Sequence, residues 1–232
     1  MYPKPELHAE TRIVISPIAA PSIMGLFGYG SAAMVTGSWL AGWWGDASSP
    51  FYFAPFVLLY GGIVQLLAAL WDALAVGMHS AWGSYWTAYG ILQLLIGLLA
   101  PPPDNFGAFA IWFVPLAAIT WIGTILSLTQ SIGLAAVLGT LALSSTLFAV
   151  GNWRILTCVL RTPKVSGYTV VVNRVGGYVL FISSILALYV GTALMVANET
   201  GYVFPPVFVM PKSRRRVPVA TGAGEPGVKK GQ

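Results

Sequence analysis

The chain has 232 residues, of which 56% are hydrophobic and 8% charged, with a formal net charge of +5. A soluble domain carries about 25% charged residues, so this composition excludes an ordinary water-exposed globule and makes the bilayer the natural solvent of the outer surface. The positive balance sits in the two tails and one loop, which argues against a nucleic-acid surface and for juxtamembrane anchoring and orientation.

The first segment, residues 1–22, carries Lys4, Glu6, His8, Glu10 and Arg12. It lacks the charged region followed at once by a short apolar core that marks a signal peptide, so it reads as a tail. Beyond Arg12 there is no Lys or Arg until Arg154, and the intervening acids are Asp46, Asp72 and Asp104. An ionised group near the bilayer centre costs at least ~2.5 kcal/mol, so a long stretch with so few charges suits lipid.

A membrane-spanning helix needs roughly 20 apolar residues, and six such segments follow in order. Residues 24–44 form the first, rich in small side chains and closed by Trp43 and Trp44. A turn through Asp46 leads to the second, 51–76, and a link at 77–80 to the third, 81–100. Pro101, Pro102 and Pro103 stop that helix, because proline lacks the amide donor and clashes with the preceding turn. The fourth, 106–128, carries Pro115, where a kink is expected; Ser131 and Gly133 turn the chain into the fifth, 134–153. A polar loop with Arg154, Arg161, Lys164 and Arg174 precedes the sixth, 175–197. Residues 23–207 thus form one transmembrane domain, and 208–232 read as a disordered basic C-terminal tail. The expected class is an all-α membrane protein, a six-transmembrane-helix bundle. These long apolar runs lack the ten-residue alternation of barrel strands.

With an even number of spans both tails lie on one side. They hold eight basic residues against four in the loop before the last span, which favours cytoplasmic termini in a multi-pass plasma-membrane protein. Trp43, Trp44, Tyr52, Trp82, Trp86 and Trp153 fall near expected span ends, where amphipathic rings favour the headgroup level. The lone cysteine, Cys158, cannot form an internal disulfide.

Catalytic chemistry is hard to find. His8 and His79 are the only histidines and have no metal-ligand spacing; no Ser/His/Asp set, paired intramembrane carboxylate or phosphate-cradling loop is present. Neither an enzyme, a metal site nor a cofactor is expected. The polar residues inside the spans are more informative. Gly61, Gln65 and Asp72 share one face of the second helix. Lipid offers a buried amide no partner, so Gln65 serves either as interhelical glue or as part of an internal path. Asp72 either relays protons or merely anchors the span end. Mixed stripes also run through Gly25, Tyr29, Ala32 and Thr36, and through Leu141, Ser145, Phe148 and Asn152. Periodicity alone stops at a small multi-pass channel or transporter.

The run Tyr60-Gly61-Gly62-Ile63-Val64-Gln65-Leu66-Leu67-Ala68-Ala69-Leu70-Trp71-Asp72 resembles the second-helix signature of the acetate uptake transporter family, which comprises bacterial acetate–succinate transporters and fungal acetate and ammonia-export-associated proteins. Gly83-Ser84-Tyr85-Trp86, then Gly176-Gly177-Tyr178 with Ala187-Leu188-Tyr189, resemble its third- and sixth-helix patterns in the same order. The first-helix motif departs: Ala20-Pro21-Ser22-Ile23-Met24-Gly25-Leu26 keeps one proline, the glycine and the last leucine, Ala20 replaces an asparagine, and Ser22 is the expected cap.

The resemblance implies transport of acetate or another small monocarboxylate, succinate among the candidates, through a narrow path in each protomer of a homohexamer. It places the constriction on Tyr29, Trp82 and Leu141, and Gln65 beside the path. With no Lys or Arg in the first four spans, the carboxylate would rely on hydroxyls, amides and helix N-termini, with Gln65, Asn152 and Thr36 as substrate-binding candidates and Asp72 as the candidate relay for coupled protons. The alternative is a membrane sensor or regulator of the acetate or ammonium response that binds without transporting.

Overall fold

The computed structural model describes residues 20–71, 76–99, 108–159 and 167–210. Six helices occupy them: α1 (Pro21–Leu40), α2 (Ser49–Trp71), α3 (Val76–Leu98), α4 (Ala108–Ser127), α5 (Ile132–Val159) and α6 (Gly167–Thr200). Among the described residues the only β pairing is a single antiparallel bridge, Ser131 to Val209.

Local chemistry explains the helix starts. Pro21 opens α1 at a position whose amide would be unbonded anyway, with Ala20 rather than Ser22 at the cap. Before α2, Asp46 accepts hydrogen bonds from the Ser48 amide (2.8 Å) and hydroxyl (2.6 Å), tightening the turn that feeds the helix. Hydrogen bonding to the charged form lowers a carboxyl pKa, so the Ser48 hydroxyl and amide hold Asp46 below the usual carboxylate range. Within α2, Pro55 precedes a π-helical stretch, Val57–Val64, that contains Gly61 and Gly62. Pro115 lies inside a continuous α4.

Several boundaries differ from the sequence reading. α3 begins at Val76, because Gly77 costs a helix interior only about 1 kcal/mol and does not break it. His79, placed in a link by the sequence, is therefore helical and buried, and Trp82 and Trp86 lie deep in the bundle rather than at the headgroup level. Trp43, Trp44 and Tyr52 are exposed as an aromatic belt requires. Arg154 and Arg174, taken as loop residues, belong to α5 and α6. The C-terminal tail also starts later than 208: Ile132 and Gly133 donate to the carbonyls of Phe208 and Val207, and Met210 donates to Gln130. Val207 is buried in the main core. The triple-proline stop, Asp72 and residues 1–19 and 211–232 lie outside the described residues.

Each helix packs on its neighbours in sequence, and α6 closes the ring against α1. Neighbours run antiparallel, as their pairings show. Gly30 meets Leu188 and Gly37 meets Phe181 between α1 and α6; Gly28 meets Val64 and Gly61 meets Ala32 between α1 and α2. Trp82 bonds Thr120 between α3 and α4, and Ser144 bonds Gly176 between α5 and α6. The start of α1 and the end of α6 thus share one end of the bundle, called here the tail end; the other is the distal end. At Gly37 a Cβ would stand 2.9 Å from the Phe181 amide nitrogen, so only glycine allows α1 and α6 this approach, the use small residues serve where membrane helices pack.

The exterior is apolar and several hydroxyls are buried inside. Ile111, Ile122, Ile125, Ile182 and Leu70 face outward, whereas Thr120, Ser144, Ser145, Ser183 and Ser184 are fully buried. Among the described residues, four segments are long and apolar enough to cross a membrane: Ser49–Trp71, Ala110–Ser127, Ile132–Asn152 and Thr169–Thr200. α1 and α3 are richer in Gly, Ser, Trp and Tyr.

Candidate functional site

Midway along the bundle, two aromatic side chains meet. The Tyr29 ring from α1 and the Trp82 ring from α3 stand edge to face, centroids 6.2 Å apart. Each is tied by one hydrogen bond to a hydroxyl that is itself tied to a main-chain carbonyl. The Tyr29 hydroxyl lies 2.8 Å from Ser183 Oγ, and Ser183 donates to the Val137 carbonyl at 2.9 Å. A serine hydroxyl has one proton, so Tyr29 is the donor in that pair. In the same way Trp82 Nε1 donates to Thr120 Oγ1 at 3.0 Å, and Thr120 donates to the Leu116 carbonyl at 2.6 Å. Leu141, one turn beyond Val137 on α5, is buried in the same cluster.

On the distal side of Trp82 lies a cavity of about 200 Å³. α1 contributes Thr36 and Trp39, α3 contributes Trp82, Tyr85, Trp86 and Tyr89, and Phe113, Phe148, Asn152 and Asn173 come from α4, α5 and α6. Tyr85 packs on Phe113 (5.3 Å) and Phe113 on Phe148 (5.4 Å), so the wall is a continuous chain of rings. No Lys or Arg lines it among the described residues. Arg174, next to Asn173, lays its guanidinium over Gly42 at the distal end of α1.

Three polar atoms on lining residues are buried without a protein hydrogen-bond partner: Thr36 Oγ1, Trp86 Nε1 and Asn173 Oδ1. Buried polar groups are normally paired, and comparable groups elsewhere in this protein are. Thr87, Thr120, Thr124, Thr146 and Thr192 each donate to the carbonyl four residues back. Trp39, Trp44, Trp82 and Trp121 each donate through the indole nitrogen. Trp86 is 1% exposed and Thr36 3%, so water outside the protein does not reach them.

Toward the tail end, below the Tyr29–Trp82 contact, Gln65 Nε2 lies 3.4 Å from His79 Nδ1, and the His79 ring covers Gly25. Gln65 Oε1 is the fourth buried polar atom without a partner.

The candidates named from sequence therefore fall into three levels. Thr36 and Asn152 line the distal cavity, where Asn152 also donates to the Phe148 carbonyl at 2.7 Å. Tyr29, Trp82 and Leu141 are buried at mid-bundle, and only Trp82 of the three also borders the cavity. Gln65 is on the tail side, and Asp72 lies outside the described residues. Sequence reasoning passed over His79, Trp86, Thr120, Ser183 and Asn173. For Thr120 and Ser183 a signal existed: each is a hydroxyl within a long apolar run. For His79 and Trp86 it was hidden by the misplaced start of α3.

A helical bundle with an apolar exterior, buried hydroxyls and a cavity among its helices is that of a multi-pass membrane protein. The chain belongs to the GPR1/FUN34/yaaH family, whose model matches residues 4–212, and this is the family to which the second-helix residues pointed. No curated protein sequence matches the chain. Among solved structures, the bacterial acetate channel SatP has the same fold, with a TM-score of 0.67 and 19% sequence identity over 82% of this chain and 98% of that one.

Proposed function

We propose that this protein carries acetate, or another small monocarboxylate, across the plasma membrane through the interior of each protomer. One observation carries the reading: unpartnered Thr36 Oγ1 and Trp86 Nε1 beside a cavity of about 200 Å³ that ends on the Trp82 ring. A carboxylate entering from the distal end would be drawn by Arg174 and accept hydrogen bonds from Thr36 and Trp86. It would then pass the constriction of Tyr29, Trp82 and Leu141 toward Gln65. Weak, dispersed donors suit conduction, because a tightly held solute cannot leave. The family and the SatP fold support the same reading.

The fuller picture has six spans, with α1 and α3 crossing as interior helices, cytoplasmic termini and a homohexameric assembly. Asp72 is the proton relay if uptake is coupled. Reconstitution of the purified protein into liposomes tests the core of this. Labelled acetate should enter protein-containing vesicles and not empty ones, and a pH gradient should change the rate only if protons are coupled. Acetate binding without uptake would replace transport with a sensing role.

A further inference from the structure

We propose that the distal cavity prefers a monocarboxylate with an aromatic body, of the benzoate class, and binds it more tightly than acetate. This deepens the transport reading and rests on the same site. The walls are largely apolar. Seven of the lining residues are aromatic, and a cavity of about 200 Å³ equals the liquid volume of roughly seven waters at ~30 Å³ each. Acetate has four heavy atoms. It would satisfy the polar atoms and leave most of the rings in contact with water or with nothing.

The unpartnered polar atoms belong to lining residues on α1, α3 and α6. Trp86 Nε1 can only donate, and the Thr36 hydroxyl can donate or accept; both are buried and unpartnered. Asn173 adds an unpartnered carbonyl oxygen, which suits the O–H of the protonated acid. No cation among the described lining residues offsets the lost hydration of a carboxylate, so affinity must come from the body of the ligand. Each buried methylene is worth about fourfold in affinity. A flat ring also meets the walls in the geometry they already use with one another, edge to face or tilted, as between Trp82 and Tyr85 or Tyr85 and Phe113.

Calorimetric titration of the detergent-solubilised full chain with sodium benzoate, sodium acetate and benzyl alcohol tests this. Benzoate should bind at least about tenfold more tightly than acetate. Trp86→Phe, which keeps a ring and removes the N–H, should weaken benzoate about tenfold and leave benzyl alcohol nearly unchanged; Thr36→Val should act in the same direction. Acetate binding as tightly as benzoate, or benzoate binding indifferent to both substitutions, would overturn the proposal. The outcome is separable from transport. Vesicles that take up acetate while benzoate binds no better leave the transport reading standing and remove this one. Tight benzoate binding in a protein that moves no acetate does the reverse.

Discussion

The two halves of the bundle on either side of Trp82 are packed differently. On the tail side small residues let helices touch: a Cβ on Gly28 would strike the Tyr60 carbonyl oxygen, and the His79 ring lies on Gly25. On the distal side glycines such as Gly37 also bring helices into contact, but large rings surround a cavity, and three of the four unpartnered buried polar atoms among the described residues belong to its lining. The other buried hydroxyls and indoles among the described residues have partners. The difference teaches that the unsatisfied groups are not a general laxity of packing in this interior. They gather among the residues that line the cavity.

That contrast can be broken by substitution. The largest effect is expected from Gly28→Val, whose Cβ meets main chain that cannot move aside. Overpacking costs roughly 1–3 kcal/mol and sometimes more, so the variant should melt well below the parent or fail to assemble, as read by thermal unfolding in detergent. A parent-like melting curve would mean that the tail-side half is looser than described.

Next comes Ser183→Ala. It strands the Tyr29 hydroxyl, which then loses its buried acceptor, at a cost of about 1–3 kcal/mol. Release of the Tyr29 ring should also raise the uptake of acids larger than acetate. Lower stability with unchanged size selectivity would make Ser183 a structural tie only.

Thr36→Val should behave differently from both. Removing a hydroxyl that has no protein partner is nearly neutral or stabilising, so melting should hold or rise. Uptake should fall about tenfold, the equivalent of one hydrogen bond to a charged group. A fall in stability instead would place Thr36 with the paired threonines. The smallest effect concerns the α1–α2 turn, outside both halves. The Ser48 hydroxyl and amide hold the Asp46 carboxyl below its ordinary range. Its contribution is therefore present above the ordinary carboxylate pKa and lost as pH falls through the lower, folded value. Asp46→Asn should remove this slight acid dependence of the melting temperature and lower the melting temperature slightly at neutral pH, where the contribution is present.

How far these halves could be read in advance depended on the physical signal each residue gives. Apolar length announced the helices, and Trp43, Trp44 and Tyr52 are exposed. The burial of Tyr29, Gln65 and Leu141 likewise accords with helix faces read from spacing. The start of α3 was not legible, because Gly77, His79 and Ser80 look like a turn when taken locally and are helical only through packing. That one error turned Trp86, the most buried indole of the cavity, into an expected surface residue. Nor could spacing tell which hydroxyls are satisfied. Thr36 and Thr120 both sit in apolar runs, yet one lacks a partner and the other bridges Trp82 to a carbonyl. The docking of Val207 and Met210 on the α4–α5 turn has no periodic signature at all.

The most direct test of an interior path is to block it where it is widest. In a Cys158→Ser background, Thr36→Cys places one thiol on the cavity wall, and acetate uptake by vesicles is measured before and after reaction with a small thiol-specific reagent. The account predicts that labelling abolishes uptake and that excess acetate slows the labelling. Full labelling with uptake undiminished would show that the solute travels elsewhere.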